Sequence, residues 1–273
     1  MPTLEIGVLV PLTEQPDDEI RKVAELGLRS CQVCSWDTGM MTDAVGEALL
    51  KALRDHDVRV STFWAGYSGP EVWDFIEGPA TIGLVPPAYR AQRVADLKHG
   101  VAFAAGLGFP SITTHVGFIP ENPSDPNYDP TVEAVGEVAS RCSELGIGFN
   151  FETGQETPVT LLRTIERVGL DNLGINLDAA NLILYGKGNP VDALDVFGRY
   201  VRDVHAKDGK YPTDGDHLGA ETPLGDGRVD FAALVAKLKE LGYTGPLTIE
   251  REISGPKQIE DIKRAIELLR PLC

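Results

Sequence analysis

A chain of 273 residues with 42% hydrophobic and 24% charged side chains has an ordinary globular composition, enough for one large α/β domain or two small ones. Its formal charge of −16, with no segment that gathers Lys or Arg, repels phosphate backbones and anionic lipid and argues against a nucleic-acid or membrane partner. Four cysteines do not make a disulfide scaffold, no apolar run reaches membrane-span length and the first residues lack the regions of a signal peptide, so the expected compartment is the cytoplasm.

Leu4 to Val10 reads as an apolar first strand ended by Pro11. Pro16 to Leu26 reads as an amphipathic helix with acids in its first turn and Gly27 as its stop. Leu28 to Cys34 is the second strand. Cys31 and Cys34 form a CxxC there, but odd spacing on a strand sends the two thiols to opposite faces, which argues against a redox pair or a zinc half-site. After a loop carrying Trp36, Thr42 caps a helix through Arg54, and Val58 to Trp64 is a β-branched and aromatic third strand. The Gly- and Pro-rich loop from Ala65 to Pro86, with Tyr67 and Trp73, has a length that suits function better than simple connection.

A helix from Ala88 to Gly106 leads to the fourth strand, Ser111 to Val116, with Thr113 and His115 on one face. A second Pro-rich loop, Gly117 to Pro130, precedes a helix from Thr131 to Leu145. In the fifth strand, Ile147 to Glu152, the odd positions are apolar and the even ones small or polar, with a carboxylate where the strand meets its loop. A helix begins at Pro158, Gly174 to Asp178 is the sixth strand, and Pro190 starts the next helix. Val201 to His205 is the seventh strand, followed by a long polar loop to Arg228 and a helix from Val229 to Leu241. Pro246 to Glu250 is the eighth strand and Pro256 to Leu269 the closing helix. Eight strand–helix alternations without a linker predict a single (β/α)8 TIM-barrel domain over residues 1–273. A doubly wound sheet would show continuously apolar strands, whereas strands four to eight keep a polar stripe.

Barrel sites lie at the C-terminal ends of the strands, where Glu152, Asp178, His205 and Glu250 fall on four successive strands. One strand-end acid is usually a cap or loop anchor, but three clustered carboxylates repel one another without a cation. Three carboxylates and an imidazole make a hard donor set for a divalent metal, Mn2+ or Mg2+ with Mn2+ first and Co2+ or Fe2+ as alternatives. A six-coordinate ion there leaves two positions for adjacent carbonyl and hydroxyl oxygens of a sugar. Asp216-His217 reads as loop polarity, and Gly225-Asp-Gly-Arg-Val as a turn rather than a nucleotide loop, because no strand precedes it. With no basic or Gly-rich phosphate cradle, a neutral substrate is expected.

Phe149-Asn-Phe-Glu152, Asn176-Leu-Asp178, Val204-His-Ala-Lys-Asp208, Pro223-Leu-Gly-Asp-Gly-Arg-Val-Asp-Phe231 and Gly245-Pro-Leu-Thr-Ile-Glu250 resemble, in order and over essentially the whole chain, the xylose-isomerase-like sugar phosphate isomerase/epimerase superfamily. The resemblance implies one divalent metal on Glu152, Asp178, His205 and Glu250, and a small-molecule carbohydrate between Glu152 and Glu250, which move a proton on opposite faces of a carbon. A cation beside a ketone oxygen stabilises the enediolate left by that proton, one glutamate acting as base and the other as acid. Lys207, in register with His205, is either an electrostatic aid or a salt-bridge partner of Asp178 or Glu250. His115 either bonds substrate or leans on a carboxylate. Trp36, Trp64, Phe118 and Tyr185 are candidates to stack on a sugar ring, and each taken singly also reads as core.

Two departures matter. Ketose 3-epimerases place a substrate-binding His three residues after the Asp and an Arg six residues after the His, where this chain has Asn181 and Tyr211. Asn181 stays a substrate-facing candidate. The expected activity is isomerisation or epimerisation of a ketose or keto-sugar. The alternative is β-elimination by a lyase or dehydratase on a 3-keto-sugar, keto-glycoside or inosose. An endonuclease IV type of repair enzyme is disfavoured by Asn181 and the acidic surface, and a metal-retaining binding protein by the intact glutamate pair. Homo-oligomerisation is compatible with all of these.

Overall fold

Side chains alternate across a strand, so a barrel strand sends every second residue outward to the helices and the others into the lumen. The computed structural model describes residues 3–273. Its first seven strands are β1 (Ile6–Pro11), β2 (Ser30–Ser35), β3 (Arg59–Ala65), β4 (Ser111–Thr114), β5 (Gly148–Glu152), β6 (Leu173–Asp178) and β7 (Val201–Ala206). A short antiparallel hairpin follows, β8 (Asp208–Gly209) with β9 (Glu221–Thr222), and then β10 (Leu247–Ile249). β10 pairs in parallel with both β7 and β1 and closes the expected eight-stranded barrel.

The expected helices are present with ends shifted by a few residues. Thr42 caps Asp43–His56 through Val45 N (3.3 Å), and Thr157 caps Pro158–Val168 through Thr160 N (3.4 Å). Tyr128–Glu144 starts three residues before the expected Thr131. Two short helices lie inside expected loops, Gly78–Thr81 and Ala179–Leu184. The second grows straight out of β6, because Asp178 accepts the Asn181 N–H at 2.8 Å as its N-cap. Among the described residues no helix is long and apolar enough to cross a membrane.

The apolar alternation points outward. Phe63, Ile112, Phe149, Phe151, Ile175, Leu177 and Val204 are buried against helix residues such as Leu97, Val135, Leu161 and Leu234 in one continuous core. The lumen is polar and closed to water, with Ser30, Gln32, Thr62, Thr113, Asn150, Asn176, Asp203 and Thr248 all buried. Leaving such groups unpaired would cost about 1–3 kcal/mol each. Several bond to a neighbouring strand instead, Ser111 to Thr62 (2.8 Å), Asn150 to Ser111 (3.1 Å) and Thr248 to Asp203 (3.2 Å), whereas the Ser30 hydroxyl is left without a partner.

The long β3 loop is held in one path. The buried Arg93 donates to the carbonyls of Ser68, Pro70 and Gly83, at 3.1, 2.7 and 2.8 Å, and lies over the Tyr67 ring. Gly83 has φ +75° and passes so close to Val116 that any side chain there would overlap its carbonyl. Across the barrel mouth Asp74 forms a β-bridge with His217, tying this loop to the one between β8 and β9.

Candidate metal centre and its cleft

Strand register delivers the site. Asp178 of β6 lies beside His205 of β7, Glu152 ends β5, and Glu250 leaves β10 with its N–H on the Ala206 carbonyl (3.2 Å). One donor atom from each of Glu152, Asp178, His205 and Glu250 lies within 4.8 Å of the others. His205 Nδ1 stands 2.9 Å from Glu250 Oε2, 3.2 Å from Glu152 Oε1 and 3.7 Å from Asp178 Oδ2. Yet His205 Nδ1, Asp178 Oδ2 and Glu250 Oε2 are buried without a well-aligned hydrogen bond. Buried donor atoms that converge on a common point, three of them without an aligned hydrogen bond, are what a cation would require, so the donor set fits a divalent metal.

The imidazole is aimed from behind. His205 Nε2 is 2.7 Å from Gln32 Oε1, and Gln32 is itself oriented by donating to Asn176 Oδ1 at 3.1 Å. An amide oxygen only accepts, so Nε2 carries the proton and Nδ1 faces the carboxylates. Gln32 escaped the motif reading, although the parity of Ser30, Gln32 and Cys34 already marks a polar face on β2.

Charge balance without an ion comes from two cations. Lys207 is 2% exposed, with Nζ 2.6 Å from Glu252, 3.5 Å from Asp178 and 3.5 Å from Glu250. Burial opposes its charge, but Glu250, Glu252 and Asp178 outweigh it and hold the ammonium well above its ordinary pKa. Burial likewise opposes charge on His205, and Glu250 and Glu152 raise that pKa well above the usual imidazole value. Burial works against ionisation of the acids too, but His115 and His205 lower Glu152, Lys207 and His205 lower Glu250, and Lys207 with His205 lowers Asp178.

A pH dependence follows. A metal must displace the proton that the carboxylates hold on Nδ1, while the Nε2 proton stays with Gln32. Since the imidazole pKa is raised, that proton is present through the neutral range and lost only as pH rises. Metal affinity is therefore expected to increase about tenfold per pH unit between about pH 6 and pH 8. Calorimetric titration with Mn2+ across that range checks it, and a flat profile would remove His205 as a proton-exchanging ligand.

Above this cluster opens a cleft of about 340 Å3. Glu152 and Glu250 line it, whereas Asp178 and His205 are fully buried beneath. Trp64 lines it and gives its indole N–H to Glu152 Oε2. His115 also lines it, with Nε2 3.7 Å from Glu152 Oε1 and Nδ1 3.3 Å from Gln155 Nε2. Asn181 spans the centre, its amide nitrogen 3.4 Å from Glu152 Oε1 and its oxygen 3.4 Å from Lys207 Nζ. Glu252, which no motif flagged, joins the wall.

Phe118 is placed differently from its expected position. Its ring packs 5.8 Å from Tyr185 and against Gly78, outside the cleft lining, because the left-handed turn at Gly117 directs it behind Tyr185. Tyr185, Trp36 and Trp73 hold the wall instead. Tyr211 is half exposed and bonds Gly188, away from the cleft. The two strand cysteines do face opposite ways, Cys31 into the core and Cys34 onto the cleft. Burial pushes both thiols up to about 12, Glu250 adding to the effect at Cys34, so neither offers a thiolate. The Gly-rich turn is occupied from within, because the buried Asp208 carboxylate accepts the N–H groups of Gly225, Gly227, Arg228 and Val229 at 2.9–3.0 Å.

The sequence profile of the family described as xylose isomerase-like TIM barrel matches residues 20–272. The crystal structure of a xylose isomerase domain protein from Planctomyces limnophilus superposes with TM-score 0.92 and 37% identity, covering 99% of this chain and 98% of that one. A ketose 3-epimerase from Arthrobacter globiformis is 30% identical over 147 residues, 51% of this chain and 46% of its own. An inosose dehydratase from Lacticaseibacillus casei is 25% identical over 148 residues, 47% of this chain and 48% of its own. The alignments span about half the length of these two curated relatives.

Proposed function

The chain belongs to the xylose isomerase-like TIM-barrel family, and from that premise we propose a divalent-metal-dependent sugar isomerase or epimerase that moves a proton next to the carbonyl of a ketose or keto-sugar. The observation that carries this reading is the split among the four donor residues. Asp178 and His205 are sealed below the cleft, whereas Glu152 and Glu250 reach into it.

Glu152, Asp178, His205 and Glu250 would hold the ion, Mn2+ by preference of the donor set, and when bound it supplies positive charge that makes a proton beside a carbonyl easier to remove. Glu250, the least restrained of the carboxylates, takes that proton as general base. Glu152, held by the Trp64 indole and the Asn181 amide, returns one from the other side. Lys207 keeps Glu250 ionised and the two histidines keep Glu152 so, and Asn181 and His115 present polar groups to the sugar hydroxyls. Trp64 closes the wall behind Glu152 and excludes water from it.

A second reading is β-elimination by a keto-sugar lyase or dehydratase. It is favoured by Tyr211, which leaves the cleft without a substrate-holding group at that position. The two readings share the first proton abstraction and part at the second step. Metal-loaded protein incubated in D2O with ketoses, keto-sugars and inososes is expected to place deuterium at the carbon beside the carbonyl. Recovery of a labelled isomer supports epimerisation, and release of water or an aglycone supports elimination. No exchange with any member of the panel would sink both and leave a binding protein.

A further inference from the structure

The cleft wall has two aromatic tiers, and only the inner one touches the acidic centre. Trp64 is 4% exposed and His115 6%, and both stand against Glu152. Trp36 is 37% exposed and Trp73 40%, and they rest on the inner rings, Trp36 4.4 Å from Trp64 and Trp73 5.3 Å from His115 between centroids. Trp36 and Trp73 meet edge to face at 5.7 Å and 74°, making a corner. The corner is preformed: Arg93 and the Asp74–His217 bridge fix the loop that carries Trp73, and the Trp36 ring packs edge-on against buried Tyr67. Trp36 and Trp73 line the same cleft as Glu152 and Glu250 but keep the exposed indole faces, whereas Trp64 and His115 are buried against the carboxylate.

Resting on the reading above, we propose that Trp36 and Trp73 form a second subsite for a flat ring attached to the sugar, so that the substrate is a keto-glycoside rather than a free ketose. An aromatic group and a second pyranose share the chemistry required, a flat C–H or π face without charge. Glu152, Glu250 and Glu252 line the same cleft and disfavour an anionic ring. The carbonyl position follows from the attachment. In a free ketose the carbonyl is the anomeric carbon, and a glycosidic bond there would convert it to an acetal. A substrate that carries its second ring through that bond therefore has its ketone at another carbon, and the proton that Glu250 removes lies beside that ketone.

The chain's three tryptophans all line this cleft, so indole emission reports on it alone. Mn2+-loaded protein is titrated with methyl, phenyl and glucosyl β-glycosides of keto-hexoses, one series for each ketone position at C2, C3 or C4. In at least one series the phenyl or glucosyl member is expected to bind about tenfold tighter than the methyl member, the scale of one aromatic stacking contact. Trp36→Ala and Trp73→Ala are each expected to bring that ratio towards one. A ratio of affinities is insensitive to an unfolded fraction, so a partly folded variant still reports. A lead for the phenyl arm assigns an aromatic aglycone, and a lead for the glucosyl arm a second sugar. Equal affinities within every series, or a preference that survives both substitutions, overturns the subsite and leaves the sugar reading standing. Absence of binding by the whole panel overturns both.

Discussion

Glu250→Gln is expected to leave the barrel folded and to lower proton exchange at the carbon beside the carbonyl by about 10²–10⁴-fold, the range a positioned acid or base contributes. The substitution keeps the shape of the side chain and its place after β10. It removes the charge and the basic oxygen that stands 2.9 Å from His205 Nδ1. It also removes a countercharge from His205 and Lys207, which hold the carboxylate ionised, so the metal-free protein is expected to lose some stability while staying folded. Deuterium incorporation followed by NMR at saturating Mn2+, with circular dichroism as the folding control, separates lost chemistry from lost metal. Retained exchange would take Glu250 out of the acid–base role and leave it a ligand.

The second large effect belongs to Lys207. Lys207→Met should destabilise the metal-free protein by about 3–5 kcal/mol, the usual result of removing one partner from a buried ionic cluster. Asp178 and Glu250, each 3.5 Å from Nζ, then keep only His205 as a countercharge. The sign with pH is fixed by the raised lysine pKa: its stabilisation is fully present below the unfolded value and fades only as pH rises through the folded one. At neutral pH the whole deficit is therefore visible. A divalent ion supplies positive charge to the same carboxylates, so Mn2+ should narrow the gap between variant and wild type. Urea midpoints for both proteins, with Mn2+ and with a chelator, measure it. A gap of the same size in both conditions would mean that Lys207 acts on packing rather than on the charge of the cluster.

The barrel was legible because its strands alternate so strictly. Phe149 and Phe151 against Asn150 and Glu152 announce which face meets helices and which meets the lumen, and the structure keeps that division around the ring. The donor atoms were legible for the same reason, since a strand-end residue of lumen parity has one direction to point. What stayed hidden depends on contacts between distant segments. Ala179–Leu184 exists because Asp178 caps it while keeping its other oxygen for the centre, a double use that no helix signal announces. Gln32 reaches His205 across 173 positions, and only barrel closure brings them together. Of the two stacking candidates Phe118 and Tyr185 only Tyr185 lines the cleft, and Phe118 follows a left-handed turn at Gly117 that sequence pattern cannot orient.

The four donors come from β5, β6, β7 and the end of β10, whereas Gln32, Trp36, Trp64, Trp73 and His115 all precede β5. The molecule thus divides near residue 145 into a later portion that carries the reactive centre and an earlier one that carries most of the aromatic wall and the residue that aims the imidazole. Substitutions at Trp36 and Trp73, which touch none of the four donors, can remodel what the cleft admits while the donor set is inherited intact, whereas Gln32, Trp64 and His115 tie the first half to that set.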